Sequence, residues 1–139
     1  MDRHGVHDWS LKLSGSKRRL GSCAYRTKTL RLSRHLLSLN TWAQVQDTIL
    51  HEIAHALVGV KHGHDKAWRA KAIELGAAPR ACAAKGEIAM PTAPWEAWCP
   101  ACAELVGRYY RRPPRWRRGY IHNRCRKRIQ FRRHVPPAA

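Results

Sequence analysis

The residues of this chain best suited to chemistry are His51 and His55, four apart, with Glu52 between them in the string His51-Glu52-Ile53-Ala54-His55. In a helix, positions four apart project from one face. Both imidazoles can therefore reach a single metal ion while Glu52 stands beside them as a general base. A set of histidine nitrogens suits zinc, and a site with three protein ligands keeps a fourth position open for water. Water bound there falls from a pKa of ~15.7 to about 7, which makes a nucleophile at neutral pH. The pattern implies zinc-dependent hydrolysis, with a peptide bond as the expected target. The third ligand has to come from elsewhere, and Gly63-His64-Asp65 follows closely. His62 competes for that role, but His64 is favoured because it abuts Asp65, which reads as a helix N-cap.

These ligands require a helix beneath them. Thr41 and Gln44 have the spacing of a capping box, and Gly59 marks the expected end. Between them Trp42, Val45, Ile49, Ile53, Ala56 and Leu57 recur at three- and four-residue steps, an apolar stripe that predicts packing on a core. Thr48, His51, Glu52 and His55 make up the polar remainder. A second helix is expected from Asp65, carrying Trp68, Ala72 and Leu75 on one side and stopping at Gly76. Residues 9–39 read as two or three short strands with basic outer faces. Leu11 and Leu13 alternate with polar residues, Ser14-Gly15-Ser16 offers a turn, and Thr29-Leu30-Arg31-Leu32-Ser33 alternates again. A sheet made from them could back the histidine helix, and an edge beside the metal would accept an extended polypeptide as an added strand.

A second metal set is expected downstream. From Ala77 to about Pro94 the sequence loses period and reads as a linker or long irregular connection. Cys99-Pro100-Ala101-Cys102 then opens a knuckle that His122-x-x-Cys125 could close, giving Cys99, Cys102, His122 and Cys125 as a structural zinc set, with the Arg-Pro-Pro segment between two ribbon hairpins. Five cysteines, an odd number, suit metal ligation in a reducing compartment better than a disulfide framework. Cys23 and Cys82 read as small apolar residues or idle thiols, and His4, His7, His35 and His134 as surface histidines. The expected division is a catalytic core with linker over 1–94 and a basic ribbon-like module with tail over 95–139.

The chain of 139 residues carries a formal charge of +18 and a pI of about 10.9, so a polyanion is the expected partner. No acidic residue follows Glu104, whereas arginines crowd that region with Tyr109, Tyr110, Trp116, Tyr120 and Phe131 interleaved. Arginine supplies phosphate contacts and aromatic rings supply platforms for unpaired bases. The expected nucleic-acid contacts are Arg108, Arg111, Arg112, Arg115, Trp116, Arg117, Arg118, Arg126, Lys127 and Arg128, with DNA, single-stranded DNA included, or another nucleic acid as the ligand. No run approaches a membrane span, and Met1-Asp2-Arg3-His4-Gly5 lacks the apolar stretch of a signal peptide. A cytoplasmic location, nucleoid-associated in a bacterium, is expected, with no membrane partner; the sequence leaves the oligomeric state open and a monomer is assumed.

Together these residues resemble the SprT-like, or Spartan-type, zinc metallopeptidase family. The resemblance runs through a Leu20-Gly21 hairpin, Thr29-Leu30-Arg31-Leu32-Ser33, Asp47-Thr48-Ile49-Leu50-His51-Glu52-Ile53-Ala54-His55-Ala56, Gly63-His64 with Trp68, and the CPxC knuckle, over roughly residues 9–128. It implies an α+β fold: a small zincin-like metallopeptidase domain, with a short antiparallel sheet packed on the HExxH helix, followed by a zinc-ribbon-like C-terminal module. It also implies His51, His55 and His64 as ligands of a catalytic zinc and Glu52 as catalytic base. The implied role is DNA repair by cleavage of proteins trapped on DNA, with nucleic acid held by the trailing ribbon. Two departures stand out. Relatives carry a helix ahead of the Trp9 strand, and only eight residues precede Trp9 here, so a thinner core or a start further upstream is expected. His122 also stands where a cysteine is more usual. The rival readings are a non-proteolytic DNA- or RNA-binding zinc protein with a vestigial peptidase centre, and a peptidase of ordinary cytoplasmic substrates whose tail binds a polyanion. The residue that stabilises the oxyanion is left open among Tyr25, His62 and Arg80.

Overall fold

The computed structural model describes residues 4–84, 86–114 and 116–135. They fall into two units, one reaching to Pro91 and the other beginning at Thr92. In the first unit the three short strands are present: β1 (Ser10–Ser14), β2 (Gly21–Ala24) and β3 (Thr29–Ser33). β2 and β3 form an antiparallel hairpin closed by a 3-10 turn over Tyr25–Thr27, with Lys28 in the left-handed region at φ 42°. The expectation of an antiparallel sheet holds for that pair, but β1 joins parallel to β3, and the order is β1-β3-β2. The Ser14-Gly15-Ser16 turn therefore closes no hairpin. Residues 15–20 carry the chain past β3 to the far edge, and Ser33 holds that crossing by donating from its Oγ to Ser16 O (2.6 Å) and from its N–H to Leu20 O (2.7 Å). Strand alternation reports which residues face a core, not which neighbour a strand pairs with.

Ser33 also caps a short helix, α1 (Arg34–Leu39), where the sequence reading placed strand. Its Oγ accepts from His35 N, and a local cap of this kind overrides the weak alternation of a leucine-rich run. The histidine helix is α2 (Trp42–Val58), and its capping box is complete, since Thr41 accepts from Gln44 N while the Gln44 side chain accepts from Thr41 N. Gly59, at φ 88°, ends it. α3 (Lys66–Leu75) begins at Asp65, whose carboxylate accepts from Trp68 N at 3.0 Å, and ends at Gly76 with φ 83°.

α2 packs against α3 on one side and β2, β3 and α1 on others. That explains why Leu50, Glu52, Ile53 and Ala54 are all buried, a wider arc than one stripe. The core joins Val6, Leu30, Leu50, Ile53, Ala54, Trp68, Ala72 and Ala77. Full burial of a side chain such as Ile53 or Leu30 contributes about 1.5–3 kcal/mol each. Trp42 and Leu57, expected on the buried stripe, are exposed by 69% and 38% because the first and last turns extend past the elements that flank the middle.

The second unit is a sheet of β4 (Trp95–Cys99), β5 (Glu104–Tyr109), β6 (Tyr120–Ile121) and β7 (Arg128–Arg133), antiparallel throughout in the order β5-β4-β7-β6. The fold is mixed α+β as expected. Among the described residues of this unit the buried hydrophobics are only Ala93, Ala97 and Cys99. No helix among the described residues is long and apolar enough to cross a membrane.

Candidate functional site

Helix α2 places His51 and His55 one turn apart, and the Gly59–Asp65 loop returns His64 to meet them. The Nε2 atoms of His55 and His64 lie 3.1 Å apart, as do those of His64 and His51. Nitrogens held at 2.0–2.1 Å around one tetrahedral zinc would be about 3.3 Å apart, so the three imidazoles fit that ion and leave a fourth direction open. Trp68 forms the floor. Its ring is fully buried, with centroids 4.6 Å, 5.3 Å and 4.5 Å from those of His51, His55 and His64. Its Nε1 has no hydrogen-bond partner among the described residues, so packing alone fixes the indole beneath the imidazoles. His62, the rival ligand, turns away and bonds Asp65 through Nδ1 at 2.8 Å.

Burial, and then the neighbouring histidines, push His51 down to about 4; the same causes bring His55 down to about 4. Both rings are therefore neutral at pH 7 with lone pairs available for a metal. Glu52 is buried beside them, and desolvation lifts its carboxyl to about 7. β2 presses on this side chain: a Cβ at Gly21 would come 2.5 Å from Glu52 Oε1. Only glycine admits the strand this close.

A cleft of about 1010 Å³ opens over these groups, walled by Leu20–Cys23 and Tyr25 on one side and by residues 78–90 on the other. That second wall is the segment read as a linker. Its described residues form no helix or strand, yet side chains on and before α2 hold its backbone. Asp47 accepts from Ala78 N (2.7 Å), Gln44 donates to Glu87 O (2.5 Å), and Asn40 both donates to Ala89 O (3.0 Å) and accepts from Ala89 N (2.7 Å). Arg80 and Glu87 close a further ion pair within it. Cys23, read as an idle thiol, lines the cleft near Glu52, where burial and that carboxylate push it up to about 11.

The profile of the SprT-like family matches residues 2–87 of the chain, well over half its length and all of the histidine centre. The chain belongs to the SprT-like family. No curated protein and no solved structure matches it. In this SprT-like chain the family match supplies a metallopeptidase-like domain, and the imidazole cluster is its candidate metal site.

The second cluster lies beyond the matched residues. Cys99 ends β4, Cys102 sits in the turn to β5, His122 follows β6 and Cys125 precedes β7, so each hairpin contributes two ligands. Cys99 Sγ is 3.5 Å from Cys125 Sγ, and His122 Nδ1 is 3.6 Å and 3.5 Å from the sulfurs of Cys102 and Cys125. Ligands at ~2.3 Å (sulfur) and ~2.0 Å (nitrogen) from a tetrahedral zinc would be separated by about 3.5–3.8 Å, so this set fits a closed four-ligand site. The Lys127 backbone N–H leads the groups pulling the Cys125 thiol down, whereas hydrogen bonding to Cys125 raises Cys102. Both knuckles turn through a non-glycine residue in the left-handed region directly after a ligand, Ala103 at φ 50° and Arg126 at φ 61°. Such residues cost on the order of 1–3 kcal/mol each and persist where surrounding bonds dictate the turn.

Among the expected nucleic-acid contacts, Arg112 lies between two indoles, 4.1 Å from the Trp95 ring and 4.2 Å from the Trp116 ring, and Arg117 approaches Trp116 at 5.5 Å. Arg111, Arg118, Arg126, Lys127 and Arg128 are exposed, and Arg115 lies outside the described residues. Arg108 instead pairs with the buried Glu96, which also binds Arg132 (3.1 Å) and His134 (2.9 Å). His134 is thus no surface histidine: its side chain is only 17% exposed, because Glu96 requires cations around it once buried.

Proposed function

We propose that this SprT-like chain is a zinc-dependent endopeptidase acting on DNA-associated proteins, with nucleic acid bound by the basic second unit. The observation that carries the first part is the convergence of three imidazoles, with His64 Nε2 3.1 Å from those of both His51 and His55, next to a buried carboxylate on the floor of an open cleft. His51, His55 and His64 would hold the metal, and Cys99, Cys102, His122 and Cys125 a second, structural one. Zinc, when bound, supplies Lewis acidity toward a carbonyl and lowers the pKa of water. The remaining chemistry belongs to the chain. Glu52 takes a proton from the attacking water onto its carboxylate and returns it to the departing amine, a role suited to a group brought near neutrality by burial. β2 has a free edge in the order β1-β3-β2, so an extended substrate can add along it beside Glu52.

Support for nucleic acid is the charge of +18 together with the indole and guanidinium stack around Arg112. Guanidinium and aromatic planes of this kind serve phosphate contact and base stacking. The test is Glu52→Gln in the zinc-loaded full chain, assayed on a DNA-bound protein. Zinc content should equal the parent's and cleavage should vanish. Cleavage at the parental rate would remove Glu52 from the reaction, and no cleavage by the parent, with salt-sensitive DNA binding intact, would favour the non-proteolytic DNA-binding reading.

A further inference from the structure

Hydrolysis of a peptide places negative charge on the scissile carbonyl oxygen, and a donor aimed at that oxygen is a large part of catalysis in such reactions. Side chains with protons to donate line the cleft, among them Tyr25, His62 and Arg80. His62 and Arg80 are committed elsewhere. His62 bonds the carboxylate of Asp65, which is itself fixed as the N-cap of α3. Arg80 is closed on Glu87, and Glu87 also accepts from Ala84 N, so the guanidinium is part of what shapes the cleft wall.

Tyr25 is placed differently. It follows β2 directly, and its ring is braced edge-on against Trp9, with centroids 6.1 Å apart and planes at 82°. Its side chain lines the cleft together with Cys23, and both lie within the electrostatic reach of Glu52.

We propose that Tyr25 is the oxyanion donor of this site: its hydroxyl donates to the carbonyl oxygen of an extended substrate lying along the free edge of β2. This assignment rests on the peptidase reading. In the step, the water oxygen bonds to the carbonyl carbon while its proton passes to Glu52, and the π pair of the carbonyl moves to oxygen, where the Tyr25 hydrogen bond holds it. When that pair returns, the C–N bond breaks and the proton on Glu52 goes to the amine nitrogen. Tyr25 donates a hydrogen bond and keeps its proton. Burial, followed by Cys23 and Glu52, pushes the phenol up to about 12, so it remains a donor across the neutral range.

The experiment is Tyr25→Phe in the zinc-loaded full chain, which keeps the ring against Trp9. The expected kcat is lower by about 10²–10³-fold, the size of one oxyanion donor, with KM, zinc content and melting midpoint close to the parent's. Affinity for a peptide phosphonamidate, whose tetrahedral oxygen mimics the charged carbonyl, should fall by a similar factor, while affinity for the uncleaved peptide measured in the Glu52→Gln background should not change. Parental kcat in Tyr25→Phe, or an equal loss of affinity for phosphonamidate and plain peptide, would overturn the assignment. If Tyr25→Phe fails to fold, 3,5-difluorotyrosine at position 25 replaces it. Its more acidic phenol should make cleavage decline on the alkaline side where the parent's does not, and an unchanged pH profile overturns the assignment. A parent that cleaves nothing would overturn the peptidase reading itself, a result distinct from an active parent whose Tyr25→Phe variant is equally active.

Discussion

The two units of this chain use metal-ligating side chains in opposite ways. In the first, a core of Leu30, Leu50, Ile53, Trp68 and Ala72 is complete without any ion, and the three imidazoles are mounted above it on a capped helix and a loop fixed at both ends. In the second, the buried hydrophobics among the described residues are Ala93, Ala97 and Cys99, and one of these is itself a ligand. Domains with so little apolar burial usually need a metal or disulfides to fold, and all five cysteines are free. The ligand count agrees with that contrast: three with an open direction where chemistry is proposed, four in a closed set where stability is needed. A metal centre intended for reaction is best placed on structure that does not depend on it.

The contrast is broken most directly by removing the metal. Chelation, or Cys102→Ser, is expected to unfold the second unit, since structural zinc contributes about 10–16 kcal/mol of coupled binding and folding, while the first unit keeps its amide-exchange protection. Loss of protection in both units together would show that the histidine centre is structural too. A smaller effect is expected at Trp68. Removing a fully buried indole by Trp68→Ala should cost the first unit about 3–5 kcal/mol and weaken its zinc affinity, because the floor under all three imidazoles is gone. Calorimetry and zinc titration measure both, and undiminished zinc affinity would mean the loop alone positions His64.

The smallest effect is the pH dependence of the metal-free first unit. His51 and His55 are lowered from 6.5 to about 4, so the stability they contribute is present above pH 6.5 and is lost as pH falls toward 4. Glu52 is raised from 4.5 to about 7, so its contribution is present below pH 4.5 and is lost as pH rises through 7. Two histidines outweigh one carboxyl in the acid range, and the melting midpoint of the metal-free unit should peak near pH 6–7. A midpoint that climbs steadily through pH 8 would contradict a buried, neutral Glu52.

Much of the histidine centre was legible because it is written in local spacing. The Thr41–Gln44 box, Gly59, the Asp65 cap and Gly76 each act within one turn of chain, and together they fix where His51, His55 and His64 meet. The two knuckles are local for the same reason. What escaped depends on groups far apart in sequence. The wall over residues 78–90 looks like a linker because its own residues carry no period, and its order comes from Asn40, Gln44 and Asp47 some thirty or more positions earlier. β1 pairs parallel to β3 because β2 takes the far edge, a choice that alternation does not encode. His134 looked exposed because its partner Glu96 lies 38 positions away on another strand.

The contact between Gly21 and Glu52 offers a way to disable the proposed chemistry cleanly. One methyl group at position 21 would meet the carboxylate at 2.5 Å and the adjoining side-chain carbons at 2.7 Å and 2.9 Å, forcing the acid out of its slot while leaving Glu52 and the three histidines unsubstituted. On the proposed mechanism that variant would be inert by crowding alone, with every metal-ligand candidate still in place.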